Sequence, residues 1–145
     1  MIAIINGPNL NLLGSREPEL YGTEGFFDFL ERLRREYPAE EITYYQSNIE
    51  GALVDEIQKM GMDGRCKGII LNPGAYSHYS IAIADAVAAV RVPVVEVHIT
   101  NIHAREESRR KSVTGERARG IIAGLGLDGY RLALIHLLTW TSKDI

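Results

Sequence analysis

The chain has 145 residues, a formal net charge of −3 at pH 7 and a pI near 5.8. The length suits one domain with a substantial core, and the acidic balance argues against non-specific nucleic-acid binding. Cys66 is the only cysteine, so no intrachain disulfide can form and a cytoplasmic setting is expected; no apolar run approaches a membrane span, and no basic region precedes the apolar N-terminus as in a signal peptide.

A first strand is expected at Met1–Ile5. The stretch that follows, INGPNLNLLGSREPELYG from Ile5 to Gly22, has no helical or strand period. Loops in compact domains have a median length of about 4–6 residues, and longer ordered ones commonly bind or close over ligands. Leu10, Leu12, Leu13 and Leu20 are too apolar for a solvated linker. Gly14 and Gly22 bracket Arg16 and Tyr21, which makes that part a candidate lid. A free tyrosine titrates at about 10, and a guanidinium beside it favours the phenolate. Arg16 and Tyr21 are therefore a candidate general-base pair.

An amphipathic helix is expected from Glu24 to Tyr37, with Phe26, Leu30, Leu33 and Tyr37 on one face and Pro38 ending it. A second strand, Ile42–Gln46, leads into Ser47 and Glu50, whose capping-box spacing predicts a helix start. Leu53, Ile57 and Met60 line the inner face of that helix, and Gly61 and Gly64 stop it. The third strand, Gly68–Leu71, is an unbroken apolar run, as in a strand covered on both faces. After the loop NPGAYSHYS a helix runs to Val90, with Ile83, Val87 and Val90 inward. Pro93 opens a fourth strand, VVEVHI. The stretch Asn101–Arg119 is polar and basic, with a short helix expected around Arg105–Lys111. A fifth strand is expected at Ile121–Ala123, then a last helix from Leu127 that uses Tyr130, Leu134, Leu137 and Leu138.

This alternation predicts an α/β fold, a three-layer sandwich in which helices cover both faces of a five-stranded parallel sheet, as one domain over residues 1–145. Ligands in such sheets sit beyond the C-terminal strand ends. The loops there bring Asn9, Arg16, Tyr21, Asn48, Asn72, His78, His98 and Arg109 toward one place. His98 ends the fourth strand, and Glu96 points to the same side. A carboxylate beside an imidazole orients it and keeps it protonated, as a general acid requires. A histidine that merely caps a strand end is an equal alternative on these grounds. Asn72, Tyr76, Ser77 and His78 suit hydroxyl recognition, or turn formation. Backbone N–H groups after His98, and an arginine from the run Arg105–Lys111, suit an anionic group. Because Glu106 and Glu107 intersperse that run, it also reads as a solvated helix face.

Other patterns carry less. Gly124, Gly126 and Gly129 spell G-x-G-x-x-G, but a dinucleotide site needs a further strand bearing an acidic residue about 20 residues on, and too little chain remains. They are read as a tight turn and close helix–strand packing. His78, His98, His103 and His136 lack metal-site spacing. Lys67 precedes the third strand, at the wrong sheet edge for imine chemistry, and Lys59, Lys111 and Lys143 read as surface. No G-x-S-x-G elbow is present.

Five blocks in order, NGPNLNLLGSREPELYG, QSNIEG, NPGAYSHYS, PVVEVHITN and GLGLDGY, resemble the signatures of type II 3-dehydroquinate dehydratase over nearly the whole chain. The resemblance implies a flavodoxin-like fold and a homo-oligomer, a dodecamer of four trimers. It implies anti elimination of water from 3-dehydroquinate to give 3-dehydroshikimate through an enolate, without metal or organic cofactor, in the shikimate pathway of aromatic amino acid biosynthesis. Tyr21 is then the base, Arg16 its activator, and Asn9 a holder of the water that stabilises the enolate. His98 is the acid, supported by Glu96. Asn72 and His78 match residues that bind the substrate hydroxyls, the backbone of Ile99 and Thr100 the carboxylate site, and Arg109 a further substrate contact. Asp85 matches a residue that reaches a neighbouring subunit's site. Thr100 stands where a serine is more frequent. The alternative is a flavodoxin-like flavin- or nucleotide-binding protein, which would purify yellow or with a ligand.

Overall fold

Five strands form one parallel sheet among the described residues, which in this computed structural model are 1–15, 19 and 23–140. The strands are β1 (Ile2–Asn6), β2 (Ile42–Gln46), β3 (Gly68–Asn72), β4 (Val94–His98) and β5 (Gly120–Ala123). Their spatial order, β2-β1-β3-β4-β5, is the flavodoxin-like winding. The flanking helices are α1 (Phe26–Glu36), α2 (Glu50–Met62), α3 (Ile81–Ala89) and α4 (Asp128–Thr139). Leu20, Gly22 and the candidate base pair, Arg16 and Tyr21, lie outside the described residues, and with them the lid expectation.

The central strands β1, β3 and β4 are buried at every position, which is why they read as apolar runs. Alternate side chains feed two cores. Ile2 and Ile4 face Phe29, Leu30 and Leu33 of α1 and Leu134 of α4. Ala3 and Ile5 face Leu53 and Ile57 of α2 and Ile83 and Val87 of α3. The expected inner faces of all four helices are thus the buried ones. Tyr37, Val90 and Leu138 are only partly buried, and Val90, just beyond α3, crosses Gly61 so closely that a Cβ there would lie 2.2 Å from Val90 Cγ1.

Three local expectations are corrected. The capping box does not form. The N-cap of α2 is Ile49, and Ser47 Oγ accepts from the Ile49 N–H at 3.0 Å in a local turn. Glu50 is taken instead by a tertiary partner, accepting the Ser80 hydroxyl at 2.5 Å, while Ser80 caps α3. The segment Arg105–Lys111 is not an α-helix. It holds a 3-10 turn at Glu107–Arg109, preceded by another at Ile102–Ala104, with extended backbone at Arg105 and Glu106 between them. Side chains bind the backbone there, with Asn101 Oδ1 accepting from the His103 N–H and Arg110 donating to the Arg105 carbonyl, and such bonds compete with a helical ladder. Finally, β1 and β3 each run one residue further than expected, to Asn6 and Asn72, which pair in register.

Candidate active site

The ends of β1, β3 and β4 bring Asn6, Asn72 and His98 to one edge of the sheet. Both amides are buried, and the Tyr130 hydroxyl of α4 lies between them. It donates to Asn6 Oδ1 at 2.9 Å and accepts from Asn72 Nδ2 at 2.8 Å. Asn72 Oδ1 accepts from the Gly74 N–H at 3.1 Å, so both ends of that amide are held in one orientation. Burial pushes the Tyr130 phenol far above its usual range. Tyr130 therefore serves as a neutral hydroxyl that joins the two amides from beneath the site, and not as a base.

Glu96 and His98 share one side of β4. Glu96 is fully buried, and His98 Nε2–H donates to Glu96 Oε1 at 2.6 Å. The Ser112 hydroxyl also donates to Oε1, and the Thr114 hydroxyl donates to Oε2 at 2.5 Å. With Nε2 engaged, Nδ1 is the ring nitrogen left to exchange a proton with a ligand. The His78 ring lies nearly parallel to that of His98, with centroids 6.4 Å apart. His78 Nδ1–H donates to the Lys111 carbonyl at 2.7 Å.

A cavity opens above these residues. Its wall includes Asn9, Asn72, His78, His98, Ile99, Thr100 and Arg109, seven of the residues picked from sequence, together with Arg105. Arg105 and Arg109 give the wall positive charge that suits a small anion. Arg105 Nη1 donates to Thr100 Oγ1 at 3.4 Å, and Arg109 Nε holds the Glu106 carboxylate at 2.6 Å. Asn9 has a left-handed backbone, φ 67°, and its N–H donates to Asn48 Oδ1 at 3.0 Å. The loops after β1 and β3 touch, since a Cβ on Gly7 would lie 2.5 Å from the Pro73 carbonyl oxygen.

The glycine run acts on the loop after β4. The Gly124 N–H donates to the His98 carbonyl at 3.2 Å and the Gly126 N–H to the Ile99 carbonyl at 3.0 Å. Both glycines have positive φ, 87° and 60°. A Cβ on Gly129 would lie 3.2 Å from Val97 Cγ1, which is the close helix–strand approach expected. Asp85 is exposed on α3 and does not line the cavity. Among the described residues no group of three or more His, Cys, Asp or Glu side chains converges as a metal site would, and no helix is long and apolar enough to cross a membrane.

The family model described as Dehydroquinase class II matches residues 1–138. The chain belongs to the class II dehydroquinase family. It is 50% identical over 144 residues to the 3-dehydroquinate dehydratase of Bacillus licheniformis, covering 98% of each chain. Against that of Halalkalibacterium halodurans it is 50% identical over 147 residues, again with 98% of each covered. The crystal structure of type II dehydroquinase from Butyrivibrio crossotus matches with a TM-score of 0.89 at 47% identity, over 95% of this chain and 97% of that one. The one from Propionibacterium acnes matches with a TM-score of 0.90 at 44% identity, over 96% of each.

In this class II dehydroquinase, sequence reasoning missed the parts played by Asn6, Tyr130, Ser112 and Thr114, whereas the basic run expected to supply an arginine supplies both Arg105 and Arg109 to the cavity wall. Tyr130 fits the apolar period of α4, so its hydroxyl looked incidental. Ser112 and Thr114 stand two apart in the charged stretch KSVTGE. They lie where the chain enters a turn, so no strand or helix period marked either hydroxyl as buried.

Proposed function

We propose that the chain is a 3-dehydroquinate dehydratase, a hydro-lyase that eliminates water from 3-dehydroquinate to give 3-dehydroshikimate in the shikimate pathway. The observation that carries the site reading is His98 in the cavity wall, tied through Nε2 to a wholly buried carboxylate.

The proposed mechanism uses side chains and no cofactor. Tyr21, with Arg16 favouring its phenolate, takes the proton from the carbon beside the ketone. The C–H electron pair passes into an enolate, whose oxygen is stabilised by a water that Asn9 holds. The enolate then collapses to the new C=C bond. The bond to the β-hydroxyl breaks, and that oxygen takes a proton from His98 Nδ1 and leaves as water. Base and acid work on opposite faces, which makes the elimination anti. Glu96 supports the imidazolium before transfer. Asn72, with its amide orientation fixed, and His78 hold substrate hydroxyls. The backbone of Ile99 and Thr100 holds the carboxylate, and Arg109 adds a further contact. The chain works as one catalytic domain in the cytoplasm, and Asp85 serves a neighbouring subunit's site in a dodecamer of four trimers.

The test is an ultraviolet assay with 3-dehydroquinate, because the conjugated enone product absorbs where the substrate does not. The natural protein should form the enone. Tyr21→Phe and His98→Gln should each lower kcat by about 100-fold or more. Absence of enone from folded natural protein would overturn the reaction, and an unchanged kcat in either variant would remove that residue's role.

A further inference from the structure

We propose that Ser112 and Thr114 are positioning residues for the proton transfer at His98, acting through Glu96. The proposal rests on His98 being the general acid. Three donors converge on the two oxygens of one buried carboxylate: His98 Nε2–H and the Ser112 hydroxyl on Oε1, the Thr114 hydroxyl on Oε2. Ser112 is itself aimed. Its Oγ accepts from the Gly115 N–H at 3.0 Å, which leaves the hydroxyl proton for Glu96. Both hydroxyl residues are buried, so water does not substitute for them.

The terminal torsion of a glutamate is broad. Without the Ser112 donor on Oε1 and the Thr114 donor on Oε2, the Glu96 carboxylate is free to turn, and the acceptor facing His98 is lost with it. The two hydroxyls fix that plane. A fixed acceptor at Nε2 keeps the proton there, so Nδ1 is the nitrogen that serves the substrate.

The segment that carries them, residues 111–114, also reaches the second histidine. Lys111 and Val113 use their backbone on the His78 loop, the Lys111 carbonyl accepting from His78 Nδ1–H and the Val113 N–H donating to the Ser77 carbonyl at 2.8 Å. Ser112 and Thr114 use their side chains on Glu96. Residues 111–114 thus form a strap that aligns both rings from behind the cavity wall.

The test uses full-length assembled protein carrying Thr114→Val or Ser112→Ala, with Thr114→Ser as the conservative control. Steady-state kinetics with 3-dehydroquinate are read beside the ring ¹⁵N shifts of histidine-labelled protein, which report the tautomer of His98. Each of the first two variants should lose about tenfold in kcat, with KM within about twofold, and the His98 signal should move away from the Nε2–H pattern. Thr114→Ser should keep both properties. If Thr114→Val does not fold, Ser112→Ala decides. Unchanged kcat and ring shifts, or a lower kcat with unmoved ring shifts, would overturn the proposal. Full kcat in His98→Gln would instead sink the acid assignment, whatever the hydroxyls do.

Discussion

At the scale of single residues, the Tyr130 hydroxyl shows how one atom can set a site it does not touch. It satisfies an acceptor on Asn6 and a donor on Asn72. Tyr130→Phe keeps the ring packing on Phe26 and Phe29 and removes both bonds. Leaving two buried amides short of a partner should cost about 1–3 kcal/mol, read as a lower midpoint in urea unfolding. The Asn72 amide also loses one of its two anchors, so KM for 3-dehydroquinate should rise in the same variant. The pair His98 and Glu96 was legible because strand periodicity places residues two apart on one side. Tyr130 was not, because a hydroxyl on an otherwise apolar helix face gives no sign of what it meets across the sheet.

At the scale of elements, the turn between β5 and α4 clamps the loop that leaves β4. Gly124 has φ 87°, and a Cβ there would lie 3.0 Å from Asn101 Cβ. Gly124→Ala should therefore destabilise the fold by about 1–3 kcal/mol and loosen the hold on the His98 carbonyl. Thermal melting would show the first effect, and a raised KM against a milder change in kcat the second. The strands and helices were readable because burial imposes a period on them. The stretch 105–111 was not, because its charged residues also fit a solvated helix, whereas the structure engages them with nearby side chains and backbone. Glu50 misled for a related reason. Its spacing from Ser47 fits a cap, but Ser80, thirty residues further along, is the partner it found.

At the scale of the whole molecule, a parallel sheet has two unlike edges. The site occupies the C-terminal edge, and an ion cluster stands where the strands begin. Glu40 meets the N-terminal ammonium at 2.6 Å and Lys67 Nζ at 2.7 Å. Burial opposes its charge, but Lys67 and the ammonium outweigh that and hold the Glu40 carboxyl below its usual range. A lowered folded-state pKa adds stability above the unfolded value of about 4.3 and loses it as pH falls through the folded value. Glu40→Gln should thus be less stable at neutral pH, by up to about 1 kcal/mol, and approach the natural protein in acid. Denaturant titrations at both pH values would measure this, and kcat at neutral pH should be unchanged. The alternation of elements disclosed this two-edged architecture. The contact between Tyr130 and Asn6 also fixes an order of events during synthesis. Asn6 leaves the ribosome 124 residues ahead of Tyr130. A nascent chain stalled before α4 would carry every side chain assigned to the chemistry, yet the amides at the ends of β1 and β3 would still lack the hydroxyl that joins them.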